Sequence, residues 1–266
     1  MSKTSYQKLK DIVKEKGNLL CVGLDSDTSK IPDKYGYAPE NILKFNEKII
    51  ELTAEYAVAY KINFAFYEKY GWRGFKILEE TLNLIPDNIF TIADAKRGDI
   101  GNTGQQYASN IFDYFGFDSV TVAPYMGEDS VKPFLEYDSK ITFLLGLTSN
   151  TGSKDFQNLK VDNKYLYEKV FEISSKWADE KQLGYVTGAT KPEQLSKLRL
   201  DYPDRVFLIP GVGSQGGSSK EVMRANGGKI SLVNVSRGII FAGEEEQILE
   251  ECKNYSELLK FDSKWY

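Results

Sequence analysis

Residues 94–103 read DAKRGDIGNT and directly follow the apolar run Ile89, Phe90, Thr91, Ile92 and Ala93. Two acids and two bases, Asp94, Lys96, Arg97 and Asp99, stand within six residues at the end of an expected strand. Such a group is costly to bury unless its members pair, and charges held together shift one another's pKa values. Asp94 and Lys96 are two apart, so in extended chain they point to one side. Lys61, Asp94, Lys96 and Asp99 could then form an alternating chain of cations and anions whose protons belong to the network. An array of this kind can repel a carboxylate on a substrate, stabilise a developing carbanion and deliver a proton. The competing readings are a solvated charged turn and a purely structural ion-pair network. What the other strands place beside these residues decides between them.

The composition narrows the chemistry. The chain has 266 residues, 41% hydrophobic and 27% charged, with net charge −4 and pI near 5.2. That supports a sizeable core and argues against a basic nucleic-acid binder. No histidine occurs. Ser-His-Asp triads, Cys-His nucleophiles, histidine-based zinc sites and imidazole bases are therefore excluded, leaving carboxylates, lysines, tyrosines and water for acid–base work. Cys21 and Cys252 fit no metal or redox spacing and read as reduced, structural residues. The polar, amphipathic start does not resemble a secretory signal, and no apolar run approaches a membrane span. A cytoplasmic enzyme is expected, with no membrane or nucleic-acid partner.

Elements must position these residues. β-rich runs at 19–24, 58–62, 90–95, 119–123, 142–147, 185–187, 206–209 and 231–235 alternate with helical patterns at 39–56, 72–84, 103–115, 165–181 and 192–198. Eight strands alternating with helices predict a (β/α)8 TIM barrel, one domain over 1–266, with an N-terminal helix at about 4–16 and a C-terminal helix at about 244–260. A doubly wound open sheet is the runner-up, weakened because no GxGxxG follows the first strand.

A barrel carries its chemistry at the carboxyl ends of its strands. Here those ends carry Asp25 and Asp27, Lys61 and Asn63, Asp94 and Lys96, then Thr148, Ser149 and Asn150. The seventh strand runs into Pro210, Gly211 and a glycine-rich loop to Gly217, and the eighth into Ser236, Arg237 and Gly238. Glycines let backbone N–H groups approach an anion, and Arg237 offers a bidentate fork, so these two loops predict a phosphate site. Glycines serving only a tight turn are the plain alternative.

The ordered set of motifs resembles the orotidine 5′-phosphate decarboxylase family. The Asp-x-Lys-x-x-Asp motif followed by Ile and Thr stands as Asp94, Lys96, Asp99, Ile100 and Thr103. It is joined by GLDSD at 23–27, YKIN at 60–63, TVAPYMG at 121–127, LTSN at 147–150, YVTGAT at 185–190, IPGVGSQGG at 209–217 and VNVSRGI at 233–239. The long second and fourth strand segments resemble the family's longer bacterial and protozoal branch. The resemblance implies decarboxylation of orotidine 5′-monophosphate to uridine 5′-monophosphate, the last step of pyrimidine nucleotide synthesis, with neither cofactor nor metal. It implies that Lys96 protonates C6, that Asp94 lies by the substrate carboxylate, and that Lys61 bridges the aspartates and the ribose. It implies ribose contacts from Asp25 and Asn63, and a base pocket from Ser149, Pro210 and Gly211. Gln215, Arg237 and Gly238 would hold the phosphate. Asp99 and Thr103 would act in the neighbouring subunit's site, making the enzyme a homodimer.

Residues 151–161 are polar and aperiodic, and suit either a lid over the substrate or an ordinary surface loop. Phe64, Phe66, Tyr67 and Tyr70 read as helix packing, and Glu244, Glu245 and Glu246 as a solvated helix start. The alternatives in function are a metal-dependent sugar-phosphate decarboxylase or aldolase of the same superfamily, with magnesium where Lys61 stands, and a silent phosphate-binding barrel.

Overall fold

The computed structural model of the chain describes residues 3–213 and 216–261. Ten strands occur among them: β1 (Leu20–Leu24), β2 (Ala59–Asn63), β3 (Phe90–Arg97), β4 (Ser119–Val122), β5 (Ile141–Leu147), β6 (Lys160–Val161), β7 (Lys164–Tyr165), β8 (Leu183–Thr187), β9 (Phe207–Pro210) and β10 (Ser231–Val235). Eight of them close a parallel barrel in the order β1-β10-β9-β8-β5-β4-β3-β2. This is the expected (β/α)8 barrel rather than an open sheet. The near-continuous apolar runs are explained by it, since β1, β4, β8 and β10 are buried along their whole length between the barrel interior and the helices.

The helices follow local chemistry. The N-terminal helix Ser5–Lys16 starts at Thr4, whose hydroxyl accepts from Gln7 N, and stops at Gly17 in the left-handed region. Its buried face is Leu9, Ile12 and Val13. The last helix, Glu245–Leu258, opens with a capping box between Glu244 and Gln247, so the glutamate run is a helix start as expected. Lys34 also pairs with Glu244 at 2.7 Å.

Two helical expectations are revised. The helix after β3 is α-helical only over Gly101–Ser109 and then widens into a π-turn at Asn110–Tyr114. The pattern at 165–181 is helical only over Leu166–Ser174, its first residue, Tyr165, closing the β6–β7 hairpin whose turn residues Asp162 and Asn163 take positive φ. Tyr165 is extended and caps the helix Leu166–Ser174, with its N–H donated to Glu168 at 2.8 Å. The start agrees with the expected pattern to within one residue, but the helix ends at Ser174, seven residues short of the expected end. Phe64 and Tyr67 are buried, with Phe64 packed on Phe115 and Phe117.

The amino end of the barrel is fastened by Asp118. Its carboxylate accepts from Thr91 N at 2.9 Å, Thr91 Oγ1 at 3.1 Å and Lys8 Nζ at 2.8 Å. One buried carboxylate therefore ties β3, β4 and the N-terminal helix together, far from the carboxyl rim. Asp118→Ala leaves the Thr91 amide unpaired, and is expected to lower the unfolding free energy by about 2–3 kcal/mol in urea titrations. An effect below about 0.5 kcal/mol would show that the clamp does not hold the barrel floor.

Candidate active site

The carboxyl ends of the barrel strands surround a cavity of about 430 Å³. At its floor Lys61, on β2, is buried and points between two acids. Its Nζ lies 2.8 Å from Asp94 Oδ2 and 3.3 Å from Asp25 Oδ1. Lys96 Nζ reaches the other Asp94 oxygen, Oδ1, at 2.7 Å. The ion pairs therefore run Asp25–Lys61–Asp94–Lys96, with Asp94 carrying one ammonium on each oxygen. The Lys96 side chain is half exposed to the cavity, whereas those of Lys61 and Asp94 are nearly covered.

Strand register creates this geometry. Gly23 lies opposite Lys61, and Asn63 opposite Asp94, so the charged ends of β1, β2 and β3 stack at one level. Between β3 and β4 the ladder is regular through Ala93↔Val120 and resumes at Arg97↔Val122. Three β3 residues, Asp94, Ala95 and Lys96, therefore face the single β4 residue Thr121. This is an extended bulge, the kind of irregularity that re-aims side chains near active sites. Lys96 takes φ 48°, a left-handed conformation that L-residues with long side chains rarely adopt. Thr121 Oγ1 accepts from Lys96 N at 3.0 Å and donates to Asp94 Oδ1 at 3.0 Å.

Electrostatics hold the central pair, Lys61 and Asp94, ionised. Burial works to lower the pKa of Lys61, but the Asp25 and Asp94 carboxylates outweigh it and raise it above the usual lysine range. Burial works to raise that of Asp94, but Lys61 and Lys96 outweigh it, and its carboxyl is held well below the usual carboxylate range. Cys21, buried on β1 beneath them, has its thiol pushed up by burial, and its Sγ lies 3.6 Å from Asn234 Oδ1. Both cysteines are free.

Of the residues expected at a site, Asp25, Lys61, Asn63, Asp94, Lys96, Ser149, Pro210, Gly211 and Arg237 line the cavity. Asp99, Thr103 and Gly238 do not. Asp99 is outside the four-membered relay, with its Oδ1 accepting from Ile100 N at 2.8 Å, and Thr103 is exposed on the following helix. The alternating chain anticipated for Lys61, Asp94, Lys96 and Asp99 thus holds three of its members and draws in Asp25. Gln215 lies outside the described residues. Asp27 caps its own loop, accepting from Ser29 N and Oγ, and its N–H donates to the Asp25 carbonyl at 2.9 Å.

The glycine-rich loop differs in detail from expectation. Gly213 N donates to Gly217 O, Gly216 N to Gly213 O and Gly217 N to Gly211 O. These three amides close the loop on itself. Gly211 and Gly213 take φ 101° and 75°, so glycine is required by the backbone there. Arg237 opens the short helix after β10, and Ser236, just before it, donates to Gly23 O at 2.9 Å.

Residues 151–161 form an ordered loop with a short helix, Ser153–Phe156, and the first strand of the hairpin. Gln157 pins it to the rim: its Oε1 accepts from Thr148 N at 2.9 Å and its Nε2 donates to Thr148 Oγ1 at 2.8 Å. Only Thr151 of this stretch lines the cavity.

Sequence reasoning missed Thr121, Asn234 and the apolar wall of Leu145, Val186 and Leu208. Thr121 carried a signal nonetheless, being a polar residue between two valines in a short run that is otherwise core-like.

Fold and site together define a (β/α)8-barrel enzyme whose acid–base groups are carboxylates and lysines. The family model described as Orotidine 5'-phosphate decarboxylase / HUMPS family matches residues 18–252, and the chain belongs to that family. It is 49% identical over 252 residues to the orotidine 5'-phosphate decarboxylase of Christiangramia forsetii, covering 92% of each chain. It is 47% identical to that of Flavobacterium johnsoniae, covering 93% of this chain and 92% of the relative. The solved structure of Leishmania donovani OMP decarboxylase superposes with a TM-score of 0.84 at 36% identity, over 96% of this chain and 98% of that one.

The pKa directions carry a stability signature. Asp94 is depressed when folded, so its contribution is present above the ordinary aspartate value, near ~3.9, and is lost as pH falls through the folded one. Lys61 is raised, so its contribution is full below ~10.4 and is lost only as pH rises through the higher folded value. Asp94→Asn leaves Lys61 buried with Asp25 alone and is expected to cost roughly 3 kcal/mol. Measured by urea unfolding, that difference should stay level from about pH 5 to pH 9 and shrink below about pH 4. A difference that faded between pH 5 and pH 8 would mean that Asp94 is not held as an anion.

Proposed function

We propose that this chain catalyses the cofactor-independent decarboxylation of orotidine 5′-monophosphate to uridine 5′-monophosphate and CO2, the last step of de novo pyrimidine nucleotide synthesis, as a cytoplasmic homodimer built from one barrel domain per subunit. The observation that carries this reading is the relay Asp25–Lys61–Asp94–Lys96 on the cavity floor. The substrate carboxylate sits beside Asp94, whose anionic state disfavours a second carboxylate there. The C6–carboxylate bond breaks with its electron pair left on C6. The Lys96 ammonium, half exposed to the cavity, stabilises that developing anion and then protonates it. Because Lys96 Nζ is already placed against Asp94 Oδ1 at 2.7 Å, little has to move as charge develops. The barrier must fall by ~20 kcal/mol or more, and binding of the remote phosphate contributes by holding the ring in place.

Around the reacting carbon, Asp25 and Asn63 take the ribose hydroxyls, Ser149 the pyrimidine edge, and Pro210 and Gly211 the base. Arg237, with Gln215 and Gly238, takes the phosphate. Asp99 and Thr103, outside their own cavity, serve the neighbouring subunit's site. Exposed apolar side chains on the segments after β3 and β4, Ile100, Tyr107, Tyr125 and Met126, favour such an interface.

A metal-dependent sugar-phosphate enzyme needs a divalent cation where Lys61 already neutralises Asp25 and Asp94. Turnover, followed as loss of the ultraviolet absorbance of orotidine 5′-monophosphate, should therefore be unchanged by EDTA. Loss on chelation with recovery in magnesium would reject the assignment, and so would no turnover at micromolar enzyme. Lys96→Ala and Asp99→Ala should each be inactive alone. Mixed after confirmed subunit exchange, they should regain activity, since each heterodimer holds one complete site. A mixture that stays inactive would rule out the shared site.

A further inference from the structure

The geometry points to Thr121 as the positioning residue that sets the Asp94–Lys96 pair for the reaction, an inference that rests on the functional reading above. Three independent observations converge on it. The β3–β4 ladder is broken at one place only, between Ala93 and Arg97, and Thr121 is the single β4 residue opposite the break. Lys96, inside the break, has φ 48°, a conformation that persists only where its surroundings determine it. The Thr121 hydroxyl, buried and at the cavity wall, joins the two catalytic groups directly.

The two hydrogen bonds do different work. By accepting from Lys96 N at 3.0 Å, the hydroxyl replaces the ladder partner that the bulge removes, and so fixes the left-handed backbone from which the Lys96 side chain departs. By donating to Asp94 Oδ1 at 3.0 Å, it fixes the plane of that carboxylate. Asp94 Oδ1 is the oxygen bound to Lys96 Nζ, so the backbone and the side-chain nitrogen of Lys96 are tied to one small group. A hydroxyl is the group that can accept from an amide and donate to a carboxylate at once. On its other side Thr121 is held by the regular β4–β5 register, opposite Phe143, so the position is backed by the barrel wall. Without the hydroxyl the Lys96 amide loses its acceptor, and the bulge is free to relax toward ordinary extended backbone. The ammonium would then swing away from the reacting carbon, while the ribose and phosphate contacts remain.

The test is steady-state kinetics of Thr121→Val, which keeps the shape, beside Thr121→Ser, which keeps the hydroxyl. Thr121→Val should lower kcat by ~10- to 100-fold with KM within ~3-fold of wild type, and Thr121→Ser should retain most of kcat. Thr121→Ala serves as a second hydroxyl-free variant if the valine protein does not fold, and the same split is expected for it. A wild-type kcat in a folded hydroxyl-free variant, a loss carried by KM, or equal losses in the serine and valine variants would overturn the role. A wild-type enzyme that does not decarboxylate orotidine 5′-monophosphate would instead reject the functional reading on which it rests.

Discussion

A carboxylate as covered as that of Asp94 stays anionic only if cations replace the water it has lost. Here Lys61 takes one oxygen and Lys96 the other, and Asp25 in turn keeps Lys61 charged. No member of this relay is stable in the barrel without the next. Breaking one buried pair leaves an uncompensated charge, which is far costlier than never having buried the pair. The arrangement is also what the chemistry requires, because a fixed anion beside a fixed ammonium can destabilise one carboxylate and supply one proton without rearranging. Stability and function thus depend on the same few distances.

The barrel separates its two tasks along its axis. At the amino end, Asp118 joins β3, β4 and the N-terminal helix in a staple that takes no part in lining the active-site cavity. At the carboxyl end, the strands stop at one level and present Asp25, Lys61, Asp94 and Arg237 to a common space. The irregular features gather at this upper end as well. They include the β3 bulge, the left-handed Lys96 and the self-bonded glycine loop after β9. A regular ladder would alternate side chains strictly, and the closed barrel supplies enough packing to hold the departures from it. The loop after β5 follows the same logic, since Gln157 grips Thr148 and makes a polar, aperiodic stretch into a defined piece of rim.

The amino-acid sequence by itself determined the alternation of strand and helix, because apolar runs and amphipathic stretches differ in period whatever surrounds them. It also determined which chemistry was possible: a chain without histidine, carrying Asp25, Lys61, Asp94 and Lys96 at successive strand ends, is confined to carboxylates and ammoniums. Positions 25, 61, 94 and 96 were legible because a period of two at the end of a buried strand leaves charged residues nowhere else to point. Local exceptions were less legible. The helix expected over 165–181 stops at Ser174, because the residues that follow keep a helix-compatible pattern in sequence while the chain turns toward the next strand.

What only the tertiary structure decided is which charges meet. Spacing placed Asp99 beside Lys96, yet the chain turns at Ile100 into a helix and takes Asp99 out of the relay, while Asp25 enters it from a strand seventy residues earlier in sequence. The role of Thr121 depended on a register break between β3 and β4, and no single strand carries information about its partner's count. Local propensity is a property of neighbours along the chain. The site is a property of strands closed into a ring, where a shift of one residue exchanges the inside for the outside.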